Sequence, residues 1–244
     1  MNSPPDGAVS RPPARTRYAD IATALAPHGL LARGGFRPAP EDGLSGVAAL
    51  VLVGNAGNAM WRAFASARRS GEIEAGSRDP LDRWTRWVVE AAARRLGADA
   101  LFPFGGPPWH PFQRWAMRAE PVAPSPLGLL IHPEYGLWHA YRGALAFTTE
   151  IDLPANEARP SPCEGCADRP CLAACPVGAF TGRGYDVGAC ADHIAAPAGR
   201  DCMARGCLAR HACPVGRAHA QEPAQAAFHM SAFLRARRWP GSRP

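Results

Sequence analysis

The chain has no lysine; all 27 of its basic residues are arginine. That excludes a phosphate-binding loop of the G-x-x-x-x-G-K-[ST] type, whose lysine reaches the nucleotide phosphates. No G-x-G-x-x-G follows a strand-like segment, and neither G-x-S-x-G nor H-E-x-x-H occurs. Nucleotide hydrolysis, serine hydrolysis and zinc-peptidase chemistry therefore lack their usual residues. There is no run of eighteen uncharged apolar residues, so no membrane-spanning helix is expected. The opening "MNSPPDGAVSRPPARTR" has no apolar segment of a secretory signal and reads as a disordered tail over 1–17. A cytoplasmic protein is expected from this.

The formal charge of +6 invites a nucleic-acid reading. The arginines are scattered rather than run together, and the count treats every cysteine as neutral. Two four-iron clusters, each about −2 with its thiolates, would bring the charge to roughly +2. A nucleic-acid partner is not expected on these grounds.

Cysteine is absent from the first 162 residues, and then eight fall within 51. The first group, "CEGCADRPCLAACPVG", has the spacing C-x2-C-x4-C-x3-C-P. The second runs Cys190, Cys202, Cys207, Cys213-Pro214. A cubane cluster takes one thiolate on each of four irons, and a compact run wraps only three corners. In two-cluster ferredoxins the Cys-Pro cysteine serves the other cluster. Both groups here end in Cys-Pro-Val-Gly, so the expected ligands are Cys163, Cys166, Cys171 and Cys213 for one [4Fe–4S] cluster. Cys175, Cys190, Cys202 and Cys207 are left for the second. Structural zinc, which favours two C-x2-C pairs, and disulfides, which need an oxidising compartment, are the alternatives.

The cysteine asymmetry divides the chain into the tail, an N-terminal domain over 18–158 and a small cysteine-bearing domain over 159–238. The apolar run 47–53 reads as a buried strand, and residues 79–97 read as a helix with Asp79 as N-cap, Pro80 in the first turn and Gly97 at its end. Further strands are expected near 100–104, 127–133 and 138–147. Interleaved strands and helices give an α/β or α+β domain. A last helix is expected over 223–238.

The cysteine window resembles the dicluster ferredoxin domains of epoxyqueuosine reductases and reductive dehalogenases, which sit behind a corrinoid-binding domain. In the former an isolated cysteine between the two runs completes the second cluster, and Cys190 occupies the matching place. Here x4 precedes Cys171 and x5 precedes Cys213, where the family has shorter spacers. The segment "IHPEYGLWHAYRGALAF" is similar to one in cobalamin-processing CblC-type enzymes. The likeness rests on His132, Pro133, Tyr135, Gly136, Trp138, Ala140, Arg142 and Gly143. It implies an α+β, nitroreductase-like N-terminal domain followed by a ferredoxin-like one. It also implies a corrinoid pocket using His132, Tyr135, Gly136, Trp138, Arg142 and Gly143. The loop "QRWAMRAEPVAPSPLG" has no counterpart of the family's cofactor-contacting loop, and no equivalent of the reductases' acidic proton donor is found. Their C-terminal helical repeats have no match after residue 238, so a tRNA substrate is not expected.

These readings yield three expectations. The first is a cobalamin-dependent or cobalamin-processing iron–sulfur oxidoreductase that takes electrons from a ferredoxin- or flavodoxin-type redox partner and acts on an unknown small molecule. The second is a ferredoxin-like electron carrier with no catalytic site. The third is a flavin-binding reductase, for which no phosphate site is apparent.

Overall fold

The computed structural model describes residues 16–74, 76–107, 109–181 and 184–238; the tail expected over 1–17 lies almost wholly outside them. The apolar run forms strand β2 (Ala49–Ala56), which lies inside a four-stranded sheet with β1 (Leu31–Phe36), β3 (Asp99–Leu101) and β6 (His139–Phe147). The order is β1-β2-β6-β3, and every neighbouring pair is antiparallel. Two short pairs lie outside this sheet, β4 (Ala123–Pro124) with β5 (Leu130–Ile131) and β7 (Phe180–Thr181) with β8 (Gly184–Tyr185). The fold is thus α+β.

Both faces of the sheet are covered, which is why β2 reads as a continuous apolar run and not as an alternation. Its Val51 and Val53 point into a core built with α1 (Tyr18–Leu25), α2 (Ala59–Arg69) and α3 (Pro80–Leu96). Leu50 and Leu52, one residue out of phase, point into a second core with α4 (Phe112–Ala119). Helix α3 begins at Pro80 and ends where Gly97 takes φ +69°, but the Asp79 side chain makes no capping hydrogen bond. The strands expected at 100–104 and 127–133 shorten to Asp99–Leu101 and Leu130–Ile131. Helices α2 and α4 are additions to the sequence reading.

A long irregular segment leads from β6 to the cysteine-bearing part. That part contains α5 (Pro170–Ala173), α6 (Val187–Ala195), α7 (Arg200–Arg205), α8 (Leu208–Ala212) and α9 (Pro223–Arg238). The last of these returns to the N-terminal body, where Phe228 meets Trp61 and Phe64 at ring separations of 5.3 and 5.6 Å. Asn58 fixes the approach, donating to the Ala220 carbonyl at 3.0 Å and accepting from the Glu222 N–H at 2.7 Å.

One buried charge organises the sheet. Arg33 of β1 is 1% exposed. Its Nε and Nη2 donate to the two carboxylate oxygens of Glu120 at 2.7 and 2.6 Å, and Nη1 donates to the Asn55 carbonyl at 3.2 Å. The Tyr135 and Tyr141 rings lie on the guanidinium, each 5.0 Å away, and the Tyr141 hydroxyl donates to Glu120 at 2.7 Å. Removing one partner of such a pair strands the other charge in the interior, at a cost of about 3–5 kcal/mol. Glu120→Ala is therefore expected to lower the urea midpoint sharply. Arg37→Ala, which breaks the exposed pair with Glu150, should change stability by less than about 1 kcal/mol.

Candidate functional site

The cysteines lie on short elements that separate them in pairs. Cys171 is inside α5 and Cys175 just beyond its end, while Cys207 and Cys213 cap the two ends of α8. Cys190 is in α6 and Cys202 in α7. Burial pushes the Cys163 thiol up, and the neighbouring Cys213, Cys171 and Cys166 push it further. Cys171 is raised by burial and then by Cys213 and Cys166. On the other side, burial raises Cys202 with help from Cys190 and Cys175, and it raises Cys207 with help from Cys190 and Cys202. Cys163, Cys171, Cys175, Cys207 and Cys213 pack around one apolar cluster, with Cys163 and Cys171 influenced by Cys166 and Cys213, and Cys202 and Cys207 by Cys190. Helices α5 and α8 pack on each other, and each carries one member of either expected ligand quartet at opposite ends.

Donors surround the sulfurs. The Ala179 N–H reaches Cys175 Sγ at 3.3 Å. The Cys163 N–H donates to the Ser161 hydroxyl at 3.3 Å, and the N–H groups of Leu208, and of Ala209 and Arg210, counter the effect of burial on Cys202 and Cys207. The Tyr185 hydroxyl donates to Cys190. Such donors favour a thiolate over a thiol. Among the described residues no three His, Cys, Asp or Glu side chains stand close enough to share a single metal ion. A four-iron cluster makes a different demand, one thiolate at each of four separate irons.

The segment 132–143 divides into a joint and a cleft wall. His132 and Gly136 close a tight turn through mutual backbone hydrogen bonds of 2.9 Å, and His132 Nδ1 accepts from the Glu134 and Tyr135 N–H groups. Gly136 (φ +57°) presses on the Cys-Pro-Val-Gly turn; a Cβ there would lie 2.1 Å from the Val215 oxygen. Gly216 (φ +70°) returns the contact, and its Cβ would lie 2.3 Å from the Tyr135 carbonyl. Trp138 is buried beneath α8, edge-on to His211 at 4.7 Å and under the Arg210 guanidinium at 4.4 Å. Gly143 packs toward Leu101 and Val89. Of the six residues singled out for a corrinoid, only Arg142 borders the adjacent cleft.

That cleft, about 350 Å³ in volume, opens between β6, α8 and α9. It is bordered by His139, Tyr141, Arg142, Arg210, Gln221 and His229, with Leu129 and Leu130 at one side. Burial pushes His139 down to about 3, with the Arg33 charge adding to it, and pushes His229 down to about 4, with Arg142 and Arg210 adding. Arg210, which the sequence reading passed over, is held down to about 10 by burial. Its sequence signal was a basic residue between two expected cluster ligands.

No family model matches the chain, and no curated protein matches it in sequence. The structure is similar to that of epoxyqueuosine reductase solved with an epoxyqueuosine-modified tRNA-Tyr stem loop. The TM-score is 0.49 with 13% identity, over 85% of this chain and 69% of that one. The epoxyqueuosine reductase of Streptococcus thermophilus gives a TM-score of 0.48 with 16% identity over the same shares. That of Bacillus subtilis gives 0.43 with 14% identity, over 78% of this chain and 56% of that one. At these identities residue roles do not transfer to this chain. Among the described residues no helix is long and apolar enough to cross a membrane.

Two outcomes are expected from this geometry. Gly216→Ala should destabilise the protein well beyond Gly178→Ala, because Gly178 has the same φ sign but open space around it. The latter carries only the left-handed backbone cost of about 1–2 kcal/mol, read as a urea midpoint shift. The second outcome concerns pH. A histidine near 6.5 when unfolded and depressed in the fold contributes stability that is present above that value. It is lost as pH falls toward the folded values of about 4 for His229 and about 3 for His139. Unfolding at pH 5 should therefore need less urea than at pH 7, by about 1–2 kcal/mol for each histidine, and His229→Phe should flatten that dependence.

Proposed function

We propose that the chain is an iron–sulfur oxidoreductase that holds two [4Fe–4S] clusters and passes electrons to a reaction in the cleft beside β6. Cys163, Cys166, Cys171 and Cys213 would hold one cluster, and Cys175, Cys190, Cys202 and Cys207 the other. The observation that carries the reading is the packing of α5 on α8, which sets Cys171 and Cys175 of the first run beside Cys207 and Cys213 of the second. When bound, the clusters supply one-electron transfer at potentials set by hydrogen bonds to sulfur and by solvent access. The chain's own contribution is to hold the thiolates with N–H and hydroxyl donors and to exclude water. Leu127, Ile131 and Leu137 of the N-terminal body pack with Cys163, Cys171 and Cys213 and equally with Cys175 and Cys207. Val177, two residues from Cys175, and Tyr185 are exposed, and their face would receive a ferredoxin- or flavodoxin-type electron donor.

The finer readings, a nitroreductase-like body and a ferredoxin-like cluster domain, belong to the same proposal. The corrinoid has less behind it. The cleft is at the small end of ligand sites, and five of the six residues implied for that cofactor serve the joint or the sheet. No step is routed through it. This placement favours a second reading, an electron carrier whose segment 132–143 serves only to hold the cluster-bearing part.

Cys190→Ser is the direct test. Anaerobically reconstituted wild type is expected to hold about eight irons, and the variant about four with one cluster signal lost from the electron paramagnetic resonance spectrum. A variant that keeps eight, or wild type that takes up zinc in place of iron, would contradict the assignment.

A further inference from the structure

The cleft is unbalanced in charge. Arg210 is half-buried, yet all its hydrogen bonds go to neutral oxygens. Nε donates to the Leu137 carbonyl at 3.0 Å, Nη2 to the same carbonyl, and Nη1 to Gln221 Oε1 at 3.4 Å. Among the described residues no carboxylate pairs with it. Its charge also interacts with Cys207, three residues before it. Across the cleft, Arg142 donates one Nη2 to Asp82 at 2.6 Å and to Thr85 at 3.2 Å, while its Nε is buried with no partner. The His229 ring is close enough to feel both guanidinium charges. Two arginines and two histidines border the cleft, and no carboxylate does. A guanidinium withdrawn from water without a counter-charge is costly, and its planar fork of donors matches a carboxylate or phosphate.

We propose that this cleft binds a small organic anion, with its carboxylate or phosphate headgroup held between Arg210 and Arg142 and its body against Leu129 and Leu130. The inference rests on the reading above that electrons are delivered here, and it gives the substrate of that reaction its chemical class. The side-chain amides of Gln113 and Gln221 supply neutral hydrogen-bonding partners for the rest of the molecule. A volume of about 350 Å³ suits a single-ring or short-chain acid better than a macrocycle.

The test is calorimetric titration of the anaerobic, cluster-loaded protein with benzoate and with inorganic phosphate, each in sodium chloride of matched ionic strength. Saturable binding of one or both is expected, and the stronger of the two identifies the headgroup. Arg142→Met should weaken it about tenfold or more. Leu129→Glu, which sets a carboxylate at the exposed rim without disturbing the interior, should do the same. Absence of saturable heat for both probes, or affinities unchanged in both variants, would overturn the proposal. Iron content measured on the same samples separates it from the reading it rests on. Eight irons without anion binding removes the anion site alone, and anion binding by a chain that takes up no iron keeps the site while removing its redox role.

Discussion

The hydrogen bonds from the Arg210 guanidinium to the Leu137 carbonyl hold the two halves of this chain together. Arg210 lies midway along α8, whose ends are Cys207 and Cys213, so whatever fixes this arginine also fixes one thiol of each quartet. Its guanidinium lies over Trp138, and one edge faces the cleft. This half-buried cation thus links α8 and its two flanking cysteines to the residue two before β6. Leu137 is in turn positioned by the 132–136 turn, and that turn is tied to the sheet through Tyr135 stacked on Arg33. The two arginines therefore act in series. Arg33, fully paired with Glu120, makes the sheet rigid, and Arg210, paired only with neutral groups, couples it to the cysteines.

The repeated Cys-Pro-Val-Gly shows how one motif serves two ends. Each copy turns the chain through a glycine with positive φ, at Gly178 and Gly216. The first copy faces open space, and the second is pressed against Gly136 at a distance no side chain would tolerate. A pseudo-symmetric pair of quartets is thereby made asymmetric. Cysteines of both proposed quartets pack against the N-terminal body, and the first copy of the turn lies beside the exposed Val177. Solvent access and N–H donors to sulfur both move cluster potentials, so the two sites would not be equivalent in redox terms.

Much of this was legible in the sequence where the signal is local. The β2 run announced a strand covered on both faces, and Pro80 and Gly97 bounded α3. The cysteine spacing was enough to suggest two interleaved quartets. Contacts between residues far apart in the chain were not legible. Nothing near Arg33 in "LARGGF" points to Glu120, 87 residues later, and the Arg210–Leu137 contact spans 73. Asp79 has the right identity and position for a cap but its side chain is not used as one. Tyr135, Gly136 and Trp138 suggested ligand contacts because aromatic rings and glycines serve both purposes. Only the three-dimensional neighbours, Val215, His211 and Arg210, show them occupied in joining the halves.

Native mass spectrometry of the anaerobically purified wild-type protein tests the central claim, two four-iron clusters in one chain, most directly. The account predicts a mass increment of two [4Fe–4S] units over the polypeptide. A chain that carries one cluster at most, or zinc, or four disulfides in place of metal, would contradict it.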